Sequence, residues 1–286
     1  MTDQTTDQMT AYAFGDSAPA AAATQLAAIE HYLDNLTMRR IRELDLPPGG
    51  LCWEIGAGAG SIATRLASEV VPQGRVVATD RDTRRLTPAR NLDIYRGDVT
   101  VDAPPAGPFD LIHARLVTQH LASRRALLPA LADALTPGGW LLLGEFDCRR
   151  PPRVISAPTQ ADAELFDRFL RTLLGVLTAK GVDMAWATQV HQAMADAGLT
   201  RVHSVTFAES WTGGDAGCQL YEANSIQQAD GLLRAGLTPA ELKRVRQLTH
   251  DPAFTVMSYP FVSIRGRRAP GLHLVEQATE TGGVKR

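Results

Sequence analysis

Cysteine is scarce. Cys52, Cys148 and Cys218 are the only three in 286 residues. Three scattered thiols cannot frame a disulfide scaffold, and their surroundings match no zinc-site spacing. A reducing cytoplasm fits this usage, and no metal is expected. Lysine is scarcer for its kind, three against 26 arginines; with the abundant alanine this reads as GC-rich coding. A surplus of one charge is also missing. The 29 basic and 31 acidic residues leave a formal net charge of −2, so no bulk basic field is available to a nucleic acid or an anionic membrane. No apolar run approaches the roughly 20 residues of a membrane span. The opening MTDQTTDQMT is polar and has no basic residue, unlike a signal peptide. No Gly-Lys-Ser/Thr occurs, which excludes a Walker phosphate loop. What is present is ordinary globular composition, 44% hydrophobic and 21% charged. It suits one elaborated domain, or one domain with a small cap.

The patterning divides the chain. Residues 21–44 carry Leu26, Ile29, Leu33, Leu36 and Ile41 near helical spacing, before the break at Pro47-Pro-Gly-Gly50. Strands are then predicted at 51–55, 75–79, 92–95, 109–113 and from 140 onward, with helices at 61–71 and 123–135. That alternation implies parallel crossover units in a wound α/β sheet. The second half predicts helices at 159–179, 185–197, 218–237 and 238–249, the last with a Thr-Pro-Ala-Glu cap. Strands are expected at 201–207 and 254–265. The apolar face of the helix near 162–178 is read first as core or cap packing and second as a homodimer surface.

The most informative stretch is Trp53-Glu-Ile-Gly-Ala-Gly-Ala-Gly-Ser61, between a strand and a helix. Glycines there let backbone approach a ligand closely. Asp80 ends the next strand 22 positions after Gly58, a spacing that suits a carboxylate taking both ribose hydroxyls. Asp98 follows the third strand as Gly-Asp-Val, where a carboxylate can accept from an exocyclic amine. Carboxylates at successive strand ends converge on the ligand-binding edge of such sheets, so an adenosine-bearing cofactor is inferred. A dinucleotide fingerprint needs a third glycine where Ser61 stands. Glu54 suits a cofactor with a free ammonium group better than a pyrophosphate.

These residues resemble a known family. Glu54-Ile-Gly-Ala-Gly-Ala-Gly60, Asp80, Gly97-Asp98, Phe109-Asp-Leu-Ile-His-Ala-Arg115 and Leu135-Thr-Pro-Gly-Gly-Trp140 are similar to the ordered motifs of class I S-adenosylmethionine-dependent methyltransferases. Tyr12-Ala-Phe14, Gly236-Leu-Thr-Pro, Asp251-Pro-Ala-Phe254 and Gly266-Arg-Arg268 resemble a bacterial small-molecule subgroup, so the likeness covers nearly the whole chain. It departs at Ala187-Thr-Gln189, where similar members carry a Gly-Arg pair. The resemblance implies a doubly wound, mostly parallel seven-stranded sheet whose last, antiparallel strand lies near 255–265. It divides the chain into an N-terminal lid (1–45), the cofactor half of the core (46–150), a helical cap (151–184), the remaining core (185–268, with an insertion near 209–250) and a tail (269–286). It also implies S-adenosyl-L-methionine as cofactor. Gly56, Ala57, Gly58 and Gly60 would then line the methionine moiety, with Glu54 nearby. Asp80 would hold the ribose, Arg81 would flank the adenine, and Asp98 with Val99 would read its edge. His113 would lie near the sulfonium by its backbone.

Such a cofactor carries its own leaving group, so the protein mainly aligns an acceptor and excludes water. His120 and His113 are the candidate bases if the acceptor is a hydroxyl or an activated carbon. Tyr12, Met184, Trp186 and Tyr259 are candidate substrate or lid contacts. The leading function is methyl transfer to O, N or C of an apolar or aromatic small molecule, in natural-product tailoring. The alternatives are a non-methylating reaction on the same fold, such as a cyclisation, and a macromolecule methyltransferase. Neutral charge and the absence of Asn-Pro-Pro-Tyr and Pro-Cys motifs weigh against the last.

Overall fold

The structure, a computed structural model, describes residues 18–270. The strands are β1 (Leu51–Ile55), β2 (Arg75–Asp80), β3 (Leu92–Arg96), β4 (Phe109–Arg115), β5 (Leu135–Phe146), β6 (Val154–Ser156), β7 (Thr200–Phe207), β8 (Ser210–Thr212), β9 (Thr255–Met257) and β10 (Phe261–Arg267). The helices are α1 (Pro19–Arg42), α2 (Ser61–Arg65), α3 (Arg124–Asp133), α4 (Gln160–Ala179), α5 (Trp186–Asp196), α6 (Ala216–Gln227), α7 (Ala229–Arg234) and α8 (Pro239–Leu248). Seven strands form one sheet in the order β3-β2-β1-β4-β5-β10-β7. β1 to β5 pair in parallel, and β10 runs antiparallel to β5 and β7. This is the sheet the resemblance implied, and its antiparallel strand is β10.

The central strands are buried on both faces, and their near-continuous apolar runs reflect that. Alternate side chains serve two layers. Trp53, Ile55, Val77, Ile112, Leu141 and Leu143 pack against α3 and α5. Cys52, Val76, Ala78, Leu111 and Leu142 face α1 and α2. A third cluster joins α4, α6 and α8 to Leu33, Phe146 and Phe261. The apolar face of α4 is spent in that cluster, since Phe166, Phe169, Leu170 and Leu173 are buried within the chain.

Several elements differ from expectation. The helix over 61–71 is α2 followed by a π-helical turn at Leu66–Val70. The helix over 218–237 breaks at Gln228, which both closes α6 and opens α7. β5 begins before its Pro-Gly-Gly, because the β4–β5 pairing jumps from Phe109↔Leu135 to Leu111↔Trp140 and lets 136–139 bulge out. β4 runs on to Arg115, so His113 lies inside the strand. The strand over 254–265 is two strands. β9 pairs with β6 and β8 in a small antiparallel sheet; three-residue strands are too short for an alternation to show.

Candidate functional site

The glycine loop follows β1, and three of its residues need conformations only glycine adopts freely. Gly56, Gly58 and Gly60 have φ of 68°, 60° and 88°. A Cβ on Gly56 would lie 2.3 Å from Val117 Cγ2, so the turn after β4 sits directly on the loop. A Cβ on Gly60 would lie 2.9 Å from Leu86 Cδ2. Gly58 faces α1, with Leu26 nearest. The amides of Gly56 and Ala57 donate to the Thr79 carbonyl, which ties the loop to the end of β2.

Asp80 closes that strand. Its Oδ2 accepts from Gly58 N at 2.8 Å and its Oδ1 from Asp82 N at 2.9 Å. Each oxygen keeps a further lone pair, so the carboxylate is fixed and still able to take two hydroxyls. Asp98, after β3, accepts from Thr100 N and Thr100 Oγ1. Burial acts to raise its pKa, but the Thr100 hydrogen bonds and the nearby Arg81 outweigh that and lower it. Arg81 Nε lies 3.5 Å from Asp98 Oδ2, a half-exposed pair across the adenine position the sequence implied. Val99 is half-buried beside them. From Asp98 and Val99 a groove of about 460 Å³ runs down the back of the sheet past Thr79, Val77 and Trp53. The stretch 97–108 contains no helix, and Asp102, Ala103, Pro105 and Ala106 within it line the groove.

Glu54 and His113 form a buried pair. The ring donates from Nδ1 to Glu54 Oε2 at 2.6 Å, and both residues are nearly inaccessible. They are neighbours because β1 and β4 register Glu54 against His113. Glu54 thus commits one carboxylate oxygen to His113, at the end of the strand that leads into the loop.

His120 ends a 3-10 turn, Thr118–His120, beyond β4. Burial, then the charge of Arg124, lowers its pKa to about 4. Gln119 Nε2 lies 3.4 Å from its Nε2. Trp186 is fully buried; its Nε1 donates to Thr118 Oγ1 at 2.7 Å, and Arg125 stacks on its ring. It belongs to the core beneath this turn. Met184 is half-buried and its carbonyl accepts from Cys148 N. Tyr259 is buried between Phe146 and Tyr221, and its hydroxyl has no hydrogen-bond partner among the described residues. Burial raises its pKa well above the usual phenol value. Tyr12 lies outside the described residues.

Sequence reasoning passed over three carboxylates. Leu26, Glu30 and Asp34 follow one another up the face of α1 that meets the glycine loop. Ser61 Oγ donates to Asp34 Oδ1 at 3.2 Å, and Arg115 pairs with the same oxygen at 2.9 Å. Burial, then Asp34, raises the Glu30 pKa. Glu30 is the half-buried carboxylate above the loop that Glu54 is not. The third, Glu145, is fully buried near the end of β5 and accepts from Thr118 and Gln119. Helical spacing on α1 was the one local signal for Glu30; nothing local marked Glu145.

Among the described residues no His/Cys/Asp/Glu group could hold a metal, and no helix is long and apolar enough to cross a membrane. Comparison with known proteins is consistent with the geometry. Methyltransferase str3 of Strobilurus tenacellus is 31% identical over 121 residues, covering 42% of each chain. Trans-aconitate 2-methyltransferase of Azoarcus sp. is 38% identical over 94 residues, 32% of this chain and 36% of that protein. The chain thus matches less than half the length of these curated relatives. In fold it is similar to phosphoethanolamine N-methyltransferase 2 of Haemonchus contortus, solved with S-adenosyl-L-methionine. That likeness has a TM-score of 0.56 at 13% identity and covers 90% of this chain and 60% of that one. The model of the methyltransferase domain matches residues 29–204, more than half of the sequence, and the chain belongs to this S-adenosylmethionine-dependent family.

Proposed function

We propose that this chain transfers a methyl group from S-adenosylmethionine to O, N or C of an apolar or aromatic small molecule, as a tailoring step. The observation that carries the reading is the loop of three left-handed glycines held by Asp80 through Gly58 N. The residues present fit the cofactor. Asp80 keeps lone pairs for two ribose hydroxyls, Asp98 is held ionised beside the groove, and Glu30 offers a carboxylate for the ammonium group. The named activity of the trans-aconitate relative supports a small-molecule acceptor, but that substrate is a carboxylate and not an apolar or aromatic compound.

When bound, the sulfonium supplies both the methyl group and its leaving group. The chain's own work is alignment and exclusion of water, and alignment alone can supply roughly 7–11 kcal/mol. The lid is read as α1 with α4 and α6 to α8. α1 is tied down by Gln25 to Asn224 at 2.8 Å and by Asp34 to Arg115. His120 takes the acceptor's proton where the acceptor is a hydroxyl or acidic carbon. It is neutral throughout the physiological range, with a pKa of about 4. His113 keeps its Nε2 while Glu54 holds its Nδ1, but it is almost completely buried inside β4, and the base is assigned to His120 instead.

The test is identification of a co-purified ligand by mass spectrometry, followed by transfer of isotopically labelled methyl from the cofactor to it. Label on the ligand is expected. Turnover that leaves the label on the cofactor would favour the non-methylating reading. Label on a peptide or nucleic acid, with none on the small molecule, would favour a macromolecular acceptor.

A further inference from the structure

The chain leaves β4 through an unfavourable conformation. Leu116 has φ 57°, a left-handed value that a branched side chain rarely takes. The next three residues each meet something specific. Val117 rests on Gly56, so close that no side chain fits there. Thr118 N donates to Glu145 Oε1 at 2.7 Å and its hydroxyl to the same oxygen at 2.5 Å. Gln119 N reaches that oxygen at 3.3 Å. His120 follows at the end of the turn. Behind Thr118 stands Trp186, whose Nε1 donates to the Thr118 hydroxyl. A chain of donors therefore runs from Trp186 through Thr118 to one carboxylate oxygen. The other oxygen, Oε2, is buried without a hydrogen-bond partner among the described residues.

A buried carboxyl group with one orphaned oxygen is costly, but a leucine in its place would leave the Thr118 and Gln119 amides and the Thr118 hydroxyl without their acceptor. The carboxyl group thus answers the donors of the turn, not a need for bulk in the strand. Its fixed oxygen gathers the donors of a turn that touches both the glycine loop and His120. Through Val117 the turn sets the first glycine of the cofactor loop, and through its last residue it sets His120.

We propose that Glu145 is a positioning residue: it pins the 116–120 turn so that the cofactor loop and His120 are held in one fixed relation. The proposal rests on the methyl-transfer reading for its purpose, but its geometry can be tested without a methyl acceptor. Burial raises the Glu145 pKa to about 7 against these same hydrogen bonds, which marks the carboxyl group as desolvated. Among the groups that act on His120 are Gln119, whose Nε2 faces its Nε2, and the charge of Arg124.

The experiment is an NMR titration of the histidine rings in the full chain, paired with calorimetry of S-adenosylmethionine binding. Wild type, Glu145→Gln and Glu145→Ala are compared. In wild type, His120 titrates near pH 4. Glu145→Gln keeps a carbonyl oxygen for the Thr118 donors, so His120 stays near its wild-type value and cofactor affinity falls less than about threefold. Glu145→Ala frees the turn, so His120 climbs toward ~6.5, the value of an unperturbed imidazole. Cofactor affinity then falls at least about tenfold, because the loop under Val117 loses its preorganised shape. If Glu145→Ala fails to fold, Thr118→Val removes the hydroxyl's links to both Glu145 and Trp186 while the Thr118 amide bond stays, and should raise the His120 pKa in the same direction by a smaller amount. A folded Glu145→Ala or Thr118→Val with unchanged His120 titration would overturn the proposal. If wild type binds no S-adenosylmethionine while Glu145→Ala still releases His120, the functional reading fails and the positioning role stands.

Discussion

The two ends of the sheet's binding edge are built on different principles. At the β1–β2–β3 end the site is made of short-range pieces. Three glycines follow β1, Asp80 ends β2 and Asp98 follows β3, and their partners are mostly backbone amides two to four residues past a strand end. At the β4–β5 end the site is made of long-range pairs. Glu54 meets His113, Thr118 meets Glu145 and Trp186, and Arg115 meets Asp34 on α1. The first end is a cradle for a constant ligand and tolerates little change of shape. The second sets a turn and a histidine in place through buried side chains from distant parts of the chain.

The comparison breaks most visibly at His120. If that residue is the base, His120→Ala costs roughly 10²–10⁴-fold in turnover of a hydroxyl acceptor while cofactor affinity holds. With its pKa of about 4, the wild-type rate should be level from pH 6 to 9 as far as His120 governs it. A pH-dependent step near 6.5 that vanishes in the variant would show the turn to be looser than it is drawn.

The cradle end is sharpened by Gly56→Val. A left-handed β-branched residue costs about 1–2 kcal/mol, and overpacking against Val117 adds about 1–3 kcal/mol. Cofactor affinity should therefore fall by roughly 10²-fold, read by calorimetry, if the variant's circular dichroism stays native. A loss no greater than threefold would mean that Val117 does not rest on the loop.

The smallest effect is on stability. The Glu145 pKa rises from 4.5 to about 7, so its contribution is present below pH 4.5 and is lost as pH climbs through 7. The His120 pKa falls from 6.5 to about 4, so its contribution is present above pH 6.5 and is lost as pH drops through 4. Between pH 4.5 and 6.5 the two slopes oppose each other and the net dependence is shallow. Glu145→Gln removes the falling one, and urea midpoints should then rise with pH over that window, by at most about 3 kcal/mol in unfolding free energy. An unchanged profile in the variant would show that Glu145 titrates normally.

The same division explains what could be read in the sequence. Asp80 was legible because a strand end, a glycine loop and a fixed interval are all local. The sheet was legible because buried parallel strands appear as apolar runs between glycines. Glu54 was also noticed, but its partner lies 59 residues away and only the β1–β4 register brings the two together. Glu145 carries no local sign at all, since it stands in an apolar strand and meets a turn made 27 residues earlier. The three-residue strands β6, β8 and β9 had too few positions to alternate. α1 showed its helical period but not its depth. Leu33, Met38 and Ile41 are completely buried, so the segment that the resemblance makes a lid also contributes to the core.

The central claim is that the glycine-loop end seats S-adenosylmethionine, with Asp80 on the ribose. Calorimetric titration of the full chain and of Asp80→Ala with this cofactor, with NAD as the control, tests it most directly. The account predicts one-to-one binding of S-adenosylmethionine by wild type, none of NAD, and an affinity at least about tenfold weaker in the variant, from the ~1.5–3 kcal/mol of charge-assisted hydrogen bonds that are lost. Absence of S-adenosylmethionine binding by the wild type, or equal affinity in a folded Asp80→Ala, would contradict it.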